Sequence, residues 1–110
     1  MAHKKYTVTL AKRAEKMLIA HIGFLMQASP SAVDKLLLKL KNENKILSQN
    51  PFQYPYADEL DAPGIPTETY RKCLIYGRYK LIYRIQQNSV YVDSVIDCRQ
   101  ENKNLYEFIT

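Results

Sequence analysis

Arg71, Lys72, Arg78, Lys80, Arg84 and Arg99 fall within one stretch, Tyr70 to Arg99, where only Asp93 and Asp97 oppose them. Five of the nine tyrosines, Tyr70, Tyr76, Tyr79, Tyr83 and Tyr91, accompany these cations. Guanidinium and ammonium groups match phosphate oxygens, and phenols add stacking faces, so the stretch suits phosphate or an acidic protein surface. Cleaving RNA through its own 2′-hydroxyl asks for more: a proton acceptor, a proton donor for the leaving 5′-oxygen, and cations around the phosphate. Arginine meets only the last need, because it stays charged. Lys and Tyr exchange protons only when neighbours perturb them, which clustered cations would encourage. The plain alternative is a solvated basic face.

Other chemistries find no support in the residue types. There is no Gly-rich phosphate loop, no nucleophile elbow and no HExxH. Cys73 and Cys98 stand 25 positions apart without a neighbouring histidine, so neither a metal nor another cofactor is expected, and both should be free thiols in half-buried strand positions. His3 lies near the terminus, and His21 falls among apolar residues as a packed histidine would. Asp93 and Asp97 read as edge charges that balance nearby cations.

At 110 residues and 46% hydrophobic content, the chain suits a single domain, 1–110, with one core. The formal net charge is +5. No apolar run has membrane-spanning length and MAHKK does not open a signal peptide, so a cytoplasmic protein without a membrane partner is expected.

Positioning the basic stretch requires a scaffold that the periodicity outlines. YTVTL, Tyr6 to Leu10, alternates as a short strand. Ala14, Met17, Leu18, His21, Ile22 and Leu25 then recur at helical spacing over about 11–27. Ser29 and Pro30 suit the start of a second helix carrying Val33, Leu36, Leu37, Leu40 and Leu47, which should stop before Asn50 and Pro51. Residues 49–69 hold Phe52, Tyr54 and Tyr56, which favour packing across a sheet or helix edge over a free linker. Three strands follow, 70–76, 79–86 and 89–96, joined through Gly77-Arg78 and Gln87-Asn88. The expected fold is α+β, in the order βααβββ, with an antiparallel sheet packed against an N-terminal helical hairpin. Tyr79, Leu81, Tyr83 and Ile85 should face the helices, and Lys80, Ile82 and Arg84 should present cations on the other side. Leu37 and Leu81 are expected in the core. The tail ENKNLYEFIT has enough apolar surface to dock or to be covered by a partner.

The layout and residues resemble the RelE/ParE superfamily of bacterial type II toxin–antitoxin toxins. The likeness spans nearly the whole chain: HIGFLMQASPSAVDKLL in the hairpin, NPFQYP after it, and above all YRKCLIYGRYKLIYRIQQNSVYVDSVIDCRQ. Within the last portion, Tyr79, Lys80, Leu81, Ile82 and Tyr83 match a tyrosine, a basic residue, two apolar residues and a second tyrosine. The resemblance implies a growth-inhibiting toxin silenced by a cognate antitoxin. It does not fix the activity, because the superfamily holds ribosome-dependent messenger RNA endonucleases and poisons of DNA gyrase on one scaffold.

For the endonuclease branch, the resemblance carries catalytic roles onto Arg71, Lys80, Arg99 and Tyr106, with Lys72, Arg78 and Arg84 as nucleic-acid contacts. Cys73 stands where that branch has a second lysine, and Gln100 where it has an arginine, with Arg99 adjacent. On this reading the partners are the ribosome and its messenger RNA, Arg71, Lys80 and Arg99 neutralise the scissile phosphate, and Tyr106 transfers a proton or stacks on a base. That reading is slightly preferred. The alternatives are a gyrase poison using the same surfaces to bind protein, and a degenerate module that only binds antitoxin.

Overall fold

The computed structural model describes residues 5–58 and 68–98. Strand β1 (Thr7–Leu10) leads into helix α1 (Lys12–Ala28), helix α2 (Pro30–Gln49) and a short 3-10 turn (Pro51–Gln53). Strands β2 (Arg71–Ile75), β3 (Tyr79–Gln86) and β4 (Ser89–Asp97) complete the fold. They lie in the order β1-β4-β3-β2.

The meander β2-β3-β4 is antiparallel as expected, but β1 joins β4 in parallel, with Thr7 opposite Ser89 and Leu10 opposite Val92, so the sheet is mixed. β1 flanks β4 only as far as Val92, and Asp93 and Asp97 beyond it are 8% and 6% exposed, so they are buried and not exposed edge charges. Beyond Leu10 the chain turns into α1, which takes over the flank of β4. Ala11 N–H donates to the Val92 carbonyl at 2.9 Å, and further along His21 Nε2 donates to the Val95 carbonyl at 2.7 Å. The histidine thus satisfies a strand acceptor that β1 is too short to reach, while its ring packs 5.1 Å from that of Tyr79.

Pro30 occupies the first turn of α2 as its missing N–H allows, but the Ser29 hydroxyl sits 3.2 Å from that of Ser31 and makes no capping bond to the backbone. The β2–β3 connection turns on Tyr76 and Gly77, both at positive φ (55° and 65°), and closes with Arg78 N–H on the Ile75 carbonyl at 3.1 Å. The connection leaves three residues, Tyr76 to Arg78, between the paired Ile75 and Tyr79, where the sequence suggests the two-residue link Gly77-Arg78.

The core lies between the hairpin and one sheet face: Ala14 and Leu25 from α1, Val33, Leu36 and Leu47 from α2, and Tyr79, Leu81, Tyr83, Val90, Val92 and Val95 from the sheet. Leu37 departs from expectation. It is 45% exposed, because neighbouring Leu36 (2%) takes the inward position on α2. A smaller cluster of Ala57, Ile82 and Ile96 lies apart from this core.

Candidate functional site

The β2–β3 register sets where each cation points. Arg71 stands opposite Tyr83, and Lys80 opposite Leu74. Because side chains alternate along a strand, Arg71 shares the hairpin-facing side with Tyr83, whereas Lys80 lies on the reverse side with Ile82 and Arg84. The pairing also puts Lys72, opposite Ile82, on that reverse side. One unpaired residue, Asp93, bulges from β4 between the pairs Ile82–Ser94 and Tyr83–Val92. The bulge lets Val90, Val92 and Val95 all belong to the main core despite their uneven spacing.

Arg71 is occupied by the segment that follows α2. Its Nη1 donates to the Tyr54 carbonyl at 2.6 Å and to the Phe52 carbonyl at 3.2 Å, and its guanidinium stacks 4.1 Å from the Tyr56 ring centroid and 5.4 Å from that of Phe52. The backbone of the segment adds to the clamp. Ala57 N–H meets the Tyr70 carbonyl at 2.8 Å, Lys72 N–H meets the Pro55 carbonyl at 3.0 Å, and Tyr56 bridges to Arg71. Residues 51–57 therefore form a strap that covers the outer edge of β2, as the three aromatics suggest. Tyr83, buried, fastens the start of the strap through its hydroxyl to the Pro51 carbonyl at 2.6 Å.

Beneath the strap lies a buried polar knot. The Glu43 carboxylate, 3% exposed, accepts from the Tyr54 hydroxyl at 2.5 Å and the Cys73 thiol at 3.4 Å, and pairs with Lys39 at 3.1 Å. Burial alone would raise the Glu43 carboxyl, but the hydrogen bonds from Tyr54, Lys39 and Cys73 outweigh it and hold the group below its ordinary value. Burial pushes the Cys73 thiol up to about 12, with the Glu43 charge adding to it, and raises the Tyr54 and Tyr83 phenols as well. These groups near Arg71 therefore hold their protons near neutrality, and the one carboxylate is taken by three donors. Glu43 escaped the sequence reading, although its place on the Leu36, Leu40, Leu47 stripe marks it as inward-facing.

On the reverse side, Lys80 is 6% exposed, not presented to solvent as expected, and Ile82 is fully buried. Arg84 lies 3.7 Å from Asp93, 5.3 Å from the Tyr91 ring centroid, and contacts Gln86 Oε1 at 3.4 Å. Burial raises the Asp93 carboxyl against the opposing pull of Arg84 and Arg13. Arg78, at the β2–β3 turn, pairs with Asp97 at 3.8 Å and stacks on Tyr79 at 5.0 Å. Both aspartates thus balance cations, though from buried positions. Arg99 and Tyr106 lie outside the described residues. Among the described residues, Lys72, Lys80 and Arg84 come to one side, Arg71 points to the other, and Arg78 stands at the turn.

No group of three or more His, Cys, Asp or Glu side chains among the described residues could hold a metal ion. No helix among them is long and apolar enough to cross a membrane.

A family model described as the ParE toxin of the type II toxin–antitoxin system, parDE, matches residues 8–102. The chain belongs to the ParE toxin family. Among solved structures, a chain of the chromosomal ParDE TA system from P. aeruginosa is similar at a TM-score of 0.65 and 14% identity, over 86% of this chain and 97% of that one. At that identity the likeness bears on the fold alone. No curated protein sequence matches. ParE membership places the chain in a toxin–antitoxin system and implies a cognate antitoxin as partner.

Proposed function

We propose that this ParE-family chain inhibits growth by poisoning DNA gyrase, through binding of protein and not through cleavage of RNA. The observation that carries this reading is the separation of Arg71 from Lys80 across the sheet, with Arg71 held by the Phe52 and Tyr54 carbonyls. A phosphoryl-transfer site needs its cations and proton-exchanging groups converging on one phosphate. Here Arg71 stacks on the Tyr56 and Phe52 rings, the buried Tyr83 opposite it and Cys73 two residues along β2 keep their protons, and Cys73 is buried where the endonuclease branch has a lysine. Membership of the ParE family supports the same choice.

Induction in growing cells tests this. Gyrase poisoning gives a DNA-damage response and altered supercoiling without codon-registered cuts in messenger RNA. Ribosome-dependent cleavage is the second reading, favoured by the common side of Lys72, Lys80 and Arg84, and it gives such cuts without a DNA-damage response. A degenerate module that only binds antitoxin gives neither.

A further inference from the structure

Where the bend between α1 and α2 meets the β2–β3 turn, Leu25, Ala32, Leu36 and Tyr79 floor a cavity of about 370 Å³, open to solvent. Lys35, Tyr76 and Arg78 form its rim. The floor is apolar and the rim is basic. Arg78 is held there by Asp97 at 3.8 Å. The first turn of α2, which supplies Ala32, contains no acidic side chain, so the positive end of its dipole is not offset within that turn.

Tyr76 is the unexpected part of this rim. It sits at φ 55°, a left-handed conformation that favours Gly, Asn or Asp at the first position of such a turn, yet its ring is 64% exposed. Its hydroxyl lies 3.5 Å from the Lys35 carbonyl, too far to anchor it strongly. A large aromatic kept at a strained, exposed position beside an apolar cavity is poorly explained by folding, and such outliers concentrate where ligands are held. Aromatic residues at the mouth of a cavity, flanked by cations, suit an apolar anchor on an acidic chain.

We propose that this pocket receives an apolar side chain from an acidic segment of the cognate antitoxin, with Tyr76 closing over the anchor and Lys35 and Arg78 facing the flanking carboxylates. The proposal rests on the antitoxin that ParE membership implies, and it is independent of which target the toxin inhibits. Lys35→Glu and Tyr76→Asn are the informative variants. Asn suits the left-handed turn better than Tyr, so Tyr76→Asn should keep or raise the Tm while removing the ring. Lys45→Glu makes the same charge change about 15 Å along α2, given the helical rise, and serves as the control.

Titrating the purified full chain with its purified antitoxin, by fluorescence anisotropy, is expected to show at least tenfold weaker binding for Lys35→Glu and for Tyr76→Asn, and less than a twofold change for Lys45→Glu. Affinities within twofold of the parent for both rim variants overturn the proposal. So does equal weakening by Lys45→Glu, which would reduce the effect to net charge. Loss of growth inhibition by Tyr76→Asn at unchanged antitoxin affinity also overturns it, and assigns the pocket to the toxin's target. Because the affinity is read without gyrase, it stands apart from the test of the target.

Discussion

Arg71 and Lys80 sit on neighbouring, hydrogen-bonded strands and face opposite sides of the sheet, one opposite Tyr83 and the other opposite Leu74. No change of side-chain rotamer brings both to one phosphate, because the sheet itself lies between them. Arg71 instead holds the strap 51–57 against the β2 edge, where it meets two carbonyls and two aromatic rings.

Arg71→Ala should therefore act on the fold. Losing a charge-assisted bond and a cation–π stack costs roughly 1–3 kcal/mol. The amides of Tyr54, Tyr56 and Ala57 should exchange faster with solvent than in the parent, while those of β4 stay protected. Unchanged exchange in the strap with lost toxicity would instead make Arg71 a functional contact.

The Glu43 knot gives a pH signature. The folded carboxyl lies below its ordinary value, so its contribution is fully present above the ordinary glutamate range and is lost as pH falls through the depressed folded value. Asp93 works in the opposite sense. Its folded value is raised, so its burial costs stability near neutrality and that cost is relieved on acidification. Urea midpoints of Glu43→Gln should fall below the parent near neutrality, and the gap should close as the pH falls through the depressed folded value of the Glu43 carboxyl. Tyr54→Phe, which removes one donor to the buried charge, should cost about 1.5–3 kcal/mol near neutrality.

Adjacent leucines on α2 separate core from surface. Leu36 is buried and Leu37 is 45% exposed, so Leu36→Ala should lower stability by roughly 2–5 kcal/mol and Leu37→Ala by less than about 1 kcal/mol. Denaturant unfolding of the two variants measures this directly. Equal losses would mean that Leu37 is covered in solution.

Most of the fold was legible because its signals are local. The helical stripe through Ala14, Ile22 and Leu25, Pro30 at the start of α2, and the alternation of Tyr79, Leu81 and Tyr83 each follow from neighbouring residues. The parallel seating of β1 was not legible, since it depends on where β4 lies after both helices have packed. The site was less accessible for the same reason. A cation's residue type shows that it can meet a phosphate, but strand register decides that Arg71 and Lys80 part company. Glu43, Tyr54 and Cys73 meet across separations of up to 30 residues, which no spacing rule reveals. The Asp93 bulge likewise depends on strand pairing, and it makes Asp93 and Asp97 answer to different cations, Arg84 and Arg78.

The most direct measurement mixes the purified chain with purified DNA gyrase, ATP and supercoiled plasmid, traps covalent complexes with detergent and protease, and quantifies linear DNA. A gyrase poison yields linear plasmid that rises with the amount of this chain and disappears when cognate antitoxin is added first. No linear DNA at any ratio, together with codon-registered cleavage of messenger RNA on purified ribosomes by the same preparation, would contradict the gyrase reading and restore RNA as the substrate.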